Sequence, residues 1–173
     1  MKTSWITLAV LLMATLGAYP AQAQEGRRPA PVAEFTAGTF LFPDDAIVHE
    51  AFIGGSVRFH LLPRLSIGPE VAYVQGSNHS HLVATGNVTF DFIGPVAGRA
   101  PAVTPYVVAG GGLFSSRQPT FSIGPTTHNE GAFTAGGGVR ARVGERMYVG
   151  GEARLGWEAH LRVNAVVGVR LGK

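Results

Sequence analysis

The chain contains no cysteine. A disulfide framework and a thiolate metal site are both excluded, although an exported protein is free to carry disulfides. Lysine is nearly absent, with only Lys2 and Lys173. Arginine carries the rest of the positive charge and forms no long basic run, which argues against nucleic acid as a partner. Beyond residue 23 there is no long hydrophobic run. No later segment approaches the roughly 17–25 apolar residues of a transmembrane helix. Yet 46% of the residues are hydrophobic. A chain that is apolar on average but lacks apolar runs has spread its apolar residues out, and alternation does this.

The N-terminus has the three parts of a secretory signal. Lys2 gives a positive start, Ile6 to Leu16 is almost wholly apolar, and Ala21-Gln22-Ala23 is a small-residue cleavage pattern. The expectation is export, with residues 1–23 removed as a signal peptide and residues 24–32 forming a polar, proline-containing lead-in. Residues 33–173 would then be one domain. With Lys2 set aside, 13 basic residues face 11 acidic ones, so net charge says little. Glycine says more: 23 of the 24 lie after the signal. Glycine weakens helix and strand interiors alike, so its abundance needs a structural reason.

Eight segments alternate with period two: 33–42, 50–61, 64–75, 81–92, 103–114, 131–143, 146–157 and 160–171. Each is long enough to cross a membrane as a tilted strand, which takes about 9–11 residues. Tight turns are expected at Leu62-Pro63-Arg64 and Gly144-Glu145-Arg146. Longer polar loops are expected at 75–80 and over the sixteen residues 115–130. Short turns on one side and longer loops on the other mark an outer-membrane barrel, although residues 93–102 make a long turn for the short side. A repeat at an offset of 82 residues relates Gly54-Gly55-Ser56-Val57-Arg58 to Gly136-Gly137-Gly138-Val139-Arg140, and Glu70 to Glu152. Its spacing of four segments is half a turn of an eight-stranded ring.

The two faces decide between a membrane barrel and a soluble one. One face is free of charge; it holds Ile53, Val57, Phe59, Ile67, Val71, Val149, Leu155, Val163 and Val167 among others. The other carries Arg58, Glu70, Asp91, Arg140, Arg142, Glu152, Arg154, Arg162 and Arg170, interleaved with glycine. Long charged side chains beside glycines suit the interior of a narrow barrel. Register set by the tight turns would put Glu70 opposite Ser56 and diagonal to Arg58, and Glu152 opposite Gly138 and diagonal to Arg140. Arginine–carboxylate pairing is expected there. On the apolar face, Tyr73, Phe133 and Trp157 fall toward the loop ends, and Phe59, Phe90 and Phe92 toward the turn ends. That layering matches aromatic girdles at two membrane interfaces.

These features resemble the small outer-membrane β-barrel superfamily, which includes the transmembrane domain of outer-membrane protein A. The resemblance rests on Pro105-Tyr106-Val107-Val108-Ala109-Gly110-Gly111-Gly112, Gly136-Gly137-Gly138-Val139-Arg140 and Gly68-Pro69-Glu70-Val71. It implies an all-β fold: an eight-stranded antiparallel up-and-down transmembrane β-barrel in the outer membrane. It also implies contact with outer-membrane lipid and with the outer-membrane assembly machinery. That machinery usually reads a terminal aromatic residue, whereas here the chain ends Arg170-Leu171-Gly172-Lys173.

No catalytic, metal or cofactor site is expected. His49, His79, His81, His128 and His160 fall at expected loops or strand tips, and the bland reading is exposed polar residues. His79-Ser80-His81 could imitate a nucleophile and its base, but no orienting acid is evident nearby. The leading functional expectation is a non-enzymatic surface-interaction protein with a polar, side-chain-filled lumen, meeting a surface ligand through loop 115–130. The alternatives are a soluble periplasmic lipocalin-like barrel binding an apolar ligand and a lipid-A acyl-modifying barrel enzyme.

Overall fold

A computed structural model describes residues 30–43, 47–77, 79–95, 101–118, 126–156 and 159–172. The signal segment, nearly all of the lead-in, and Trp157 lie outside the described residues. Eight strands follow in chain order: β1 (Val32–Pro43), β2 (Ile47–Leu62), β3 (Leu65–Gln75), β4 (Ser80–Asp91), β5 (Val103–Gln118), β6 (Thr126–Arg142), β7 (Met147–Gly156) and β8 (His160–Arg170). Each pairs antiparallel with its neighbour in sequence, and β1 pairs with β8, so the sheet closes on itself. Closure leaves no unpaired strand edge.

Period-two alternation produces two faces with opposite burial. On β2 the outward Ile53 is 56% exposed while its neighbour Phe52 is 3% exposed; on β7 Leu155 is 66% exposed and Arg154 is 6%. The large apolar side chains are therefore outside and the charged ones inside, the reverse of a soluble barrel. An apolar surface of this extent on every strand marks a surface that water does not cover.

The turns follow from local chemistry. Leu62 pairs with Leu65, so Pro63 and Arg64 alone make the β2–β3 turn. Between β6 and β7, Gly144 sits at φ +114°, a conformation that only glycine adopts without strain. The Val143 N–H donates to the Met147 carbonyl at 2.9 Å and closes that turn.

One expected loop is corrected. Residues 115–118 and 126–130 are strand, with β5 and β6 paired out to Gln118↔Thr126. Ser, Thr and Asn in this stretch read as loop chemistry, but a two-stranded ladder continues wherever its backbone groups can pair. The β5–β6 hairpin thus contains the two longest adjacent strands of the barrel, 16 and 17 residues.

The repeat extends to pairing. Ser56 faces Glu70 on β2–β3, and Gly138 faces Glu152 on β6–β7. The two hairpins lie on opposite sides of the ring, so Glu70 and Glu152 project into the lumen from facing walls.

Candidate functional site

The lumen contains two layers. The layer nearer the turns, together with the barrel middle, is ionic. Glu34, Glu70, Asp91 and Glu152 meet Arg58, Arg140, Arg154 and Arg162. Arg154 joins the two halves of the repeat: Nη1 reaches Glu70 Oε2 at 2.8 Å and Nε reaches Glu152 Oε1 at 2.7 Å. Arg162 Nη2 adds Glu70 Oε1 at 2.5 Å, and the Asn87 amide donates to Glu70 Oε2 at 2.6 Å. Four carboxylates against four guanidiniums leave the cluster balanced. Balance and multiple hydrogen bonds are what make buried charges tolerable.

The expected pairs are corrected. Glu70 does not bind its diagonal neighbour Arg58, nor Glu152 its neighbour Arg140. Arg58 Nε donates to Glu34 Oε1 at 2.9 Å, and Arg140 Nη1 to Asp91 Oδ1 at 2.8 Å. The register was as expected, but an eight-stranded ring is narrow enough for long side chains to reach across it. Arg154 of β7 therefore takes Glu70 of the facing β3, Arg140 of β6 takes Asp91 of β4, and Arg58 turns to Glu34 on its other neighbour, β1. Arg142 and Arg170 are also corrected. Neither forms an ion pair within 4.0 Å among the described residues. With His60, Arg146 and Glu145 they line a cavity of about 80 Å³ at the turn-side mouth.

Two tyrosines were missed. Tyr106 donates to Glu152 Oε2 at 2.9 Å, and the Arg140 guanidinium lies 3.5 Å from its ring centre. Tyr148 donates to Glu34 and accepts from Arg58 Nη2, the latter at 2.7 Å. Each lies over a glycine across the ladder, Tyr106 opposite Gly138 and Tyr148 opposite Gly168. A Cβ on Gly138 would come within 2.8 Å of the Tyr106 hydroxyl, so the glycine makes room for the ring. Both tyrosines share the inward parity of Arg140, Glu152 and Arg154, the one signal that could have found them.

The layer nearer the loops is apolar, which corrects the expectation of an entirely polar lumen. Phe40, Phe52, Ala72, Val74 and Val83 form a buried cluster, with Phe42 and Phe114 packed on it. Phe40 and Phe52 meet edge to face at 4.9 Å. The layers join where the Arg162 guanidinium lies 4.6 Å from the Phe52 ring centre. His160, expected to be exposed, is buried against Phe40.

Above this apolar layer, at the loop rim, Glu50 of β2 meets two histidines. His79 Nε2 lies 2.5 Å from Glu50 Oε1, and His81 Nε2 lies 3.5 Å from Glu50 Oε2. An acid is therefore present beside these histidines, contrary to expectation. Ser80 opens β4 on the opposite face from His81, so alternation separates the nucleophile from its base. Among the described residues, no hydrogen bond links Ser80 to either histidine.

Of the expected girdle residues, Phe59, Tyr73, Phe90, Phe92 and Phe133 are all exposed on the outside, and Trp157 is not described. Phe35 of β1 joins them at 54% exposure.

An apolar exterior, a closed antiparallel ring and a charged interior define a membrane β-barrel. The outer membrane protein beta-barrel domain family matches residues 7–171, and the chain belongs to that family. It is an outer-membrane protein. No curated protein matches its sequence. Among solved structures it is similar to the N-terminal barrel of OprF from Pseudomonas aeruginosa, with 15% identity over 84% of this chain and 100% of that one, TM-score 0.62. Neisserial surface protein A matches at 12% identity over 82% and 96%, TM-score 0.67. The Ail protein of Yersinia pestis, in complex with the heparin analogue sucrose octasulfate, matches at 8% over 83% and 99%, TM-score 0.60. At these identities the likeness is one of fold.

Proposed function

We propose that this barrel is a closed, non-enzymatic surface-interaction protein that meets its ligand through the β5–β6 hairpin. The observation that carries this reading is the length of that hairpin. Strands of 16 and 17 residues exceed the roughly 9–11 needed to cross a membrane, so several residue pairs stand beyond the rim. The lumen supports the same reading, because a charged layer and an aromatic one together fill the inside of a narrow ring. The separation of Ser80 from its flanking histidines argues against Ser80 as the nucleophile of the acyl-transfer alternative, which needs a nucleophile within reach of its base. The soluble lipocalin-like alternative fails on the outward-facing apolar side chains.

In this reading, outer-membrane lipid covers the apolar exterior. Phe35, Phe59, Phe90 and Phe92 anchor one interface, and Tyr73, Phe133 and Trp157 the other. The outer-membrane assembly machinery inserts the chain. Arg58, Glu70, Asp91, Arg140, Glu152, Arg154 and Arg162 close the lumen.

The Ail complex suggests a sulfated glycan as the first ligand to try. Cells expressing the protein should adhere to immobilised heparin. Replacing residues 119–125 by a short Gly-Ser turn should abolish adhesion while the unboiled protein keeps its altered migration on an SDS gel. Adhesion that survives the replacement, or that never rises above cells lacking the protein, contradicts the reading.

A further inference from the structure

We infer that Glu50, His79 and His81 form a binding site for a divalent transition-metal cation of the zinc type. One ligand atom from each residue lies within 4.8 Å of the other two. Zinc bonds of about 2.0–2.2 Å to nitrogen and carboxylate oxygen place tetrahedral ligand atoms roughly 3.3 Å apart. His81 Nε2 already has that spacing from Glu50 Oε2, at 3.5 Å, and His79 Nε2, 2.5 Å from the other carboxylate oxygen Oε1, needs to open by under about 1 Å.

Burial is graded around the cluster in the way an entry path requires. The Glu50 side chain is 3% exposed, His81 11% and His79 31%. The closed side holds the anionic ligand, and the open side leaves a fourth position to water. Glu50 Oε2 and His81 Nδ1 are buried without a hydrogen bond among the described residues. Buried polar atoms are normally partnered, and a cation beside Glu50 Oε2 supplies what that oxygen lacks.

The local fold keeps the space clear. The Gly76 N–H donates to the His79 carbonyl at 3.0 Å, forming the turn that brings His79 back over β2. A Cβ at Gly76 would fall 2.6 Å from both Glu50 Oε1 and His79 Nε2, between the two ligands. Phe42 and Phe114 flank His81 at ring distances of 6.1 and 4.8 Å. Such an apolar surround excludes water and strengthens the charge interaction. Two imidazoles and one carboxylate select zinc-type ions over calcium and magnesium, which take oxygen ligands. The ion would tie β2 to β4 across β3 and cap the aromatic layer beneath it.

The test is calorimetric titration of the chelator-treated barrel, folded in detergent micelles, with zinc chloride and then with calcium chloride. One zinc ion per barrel is expected, with no calcium binding, and a higher temperature for loss of the fast-migrating folded band. His79→Gln, at the open rim, and Glu50→Gln should each weaken zinc binding by about 100-fold or more, since even outer-shell partners are worth about 10–100-fold. His128→Ala, which removes the separate exposed histidine paired with Glu130, should leave it unchanged. An unboiled gel establishes that each variant is folded. Absence of zinc binding by the unaltered barrel overturns the inference. So does equal affinity in folded His79→Gln, or loss of binding in His128→Ala.

Discussion

The two layers of the lumen are both built from inward-pointing side chains, the apolar one mainly from β1–β4 and the ionic one also from β6–β8, yet they fill the barrel by opposite chemistry. Near the loops, Phe40, Phe52, Val74 and Val83 fill space with groups that need no directional partner. Near the turns and middle, Glu34, Glu70 and Glu152 need cations at hydrogen-bonding distance, and Arg58, Arg154 and Arg162 supply them. The apolar layer should therefore tolerate changes of shape, whereas the ionic layer should tolerate only changes that keep charges paired. Arg162, seated between Glu70 and the Phe52 ring, belongs to both.

The largest expected effect comes from unbalancing the ionic layer. Glu70→Ala leaves Arg154 and Arg162 to share Glu152, one buried positive charge in excess, and should cost about 3–5 kcal/mol in urea unfolding from detergent micelles. Adding Glu152→Gln, Arg154→Met and Arg162→Leu should recover most of that loss, because two carboxylates and two guanidiniums then leave together, and a charge cluster replaced by uncharged groups of similar volume is often neutral. If Glu70→Ala costs no more than a surface change, the layers do not differ as described. The next effect lies in the apolar layer. Phe40→Ala should cost about 3 kcal/mol and Phe40→Leu only about 1, measured in the same way. Equal costs for the two would contradict a layer held by packing. The smallest effect belongs to the mouth, where Arg142→Ala should stay within about 0.5 kcal/mol.

Sequence reasoning reached the wall of the barrel more fully than its contents. Parity placed Arg58, Glu70 and Arg154 on one face and Ile53 and Leu155 on the other. Tight turns then set Ser56 against Glu70. Both signals are local, because alternation and turn length act between residues close in sequence. The cross-lumen partners were not legible, since Arg154 meets Glu70 only after the ring has closed. Nor were Phe40 and Phe52, whose place inside a lumen expected to be polar had no pattern to announce it. Around Phe40 the run Phe40-Leu41-Phe42 is apolar on both faces, and in β5 the three consecutive glycines Gly110-Gly111-Gly112 blur the alternation. The rim cluster joins Glu50 to His79 over 29 residues, too far for a spacing motif to suggest it.

If the two layers together close the lumen, as proposed, conductance across a planar lipid bilayer will show it. The purified, folded barrel should give no steady ohmic current. A stable channel from the unaltered protein would mean that solutes pass the Arg154 cluster and the Phe40 layer, and that the lumen is open.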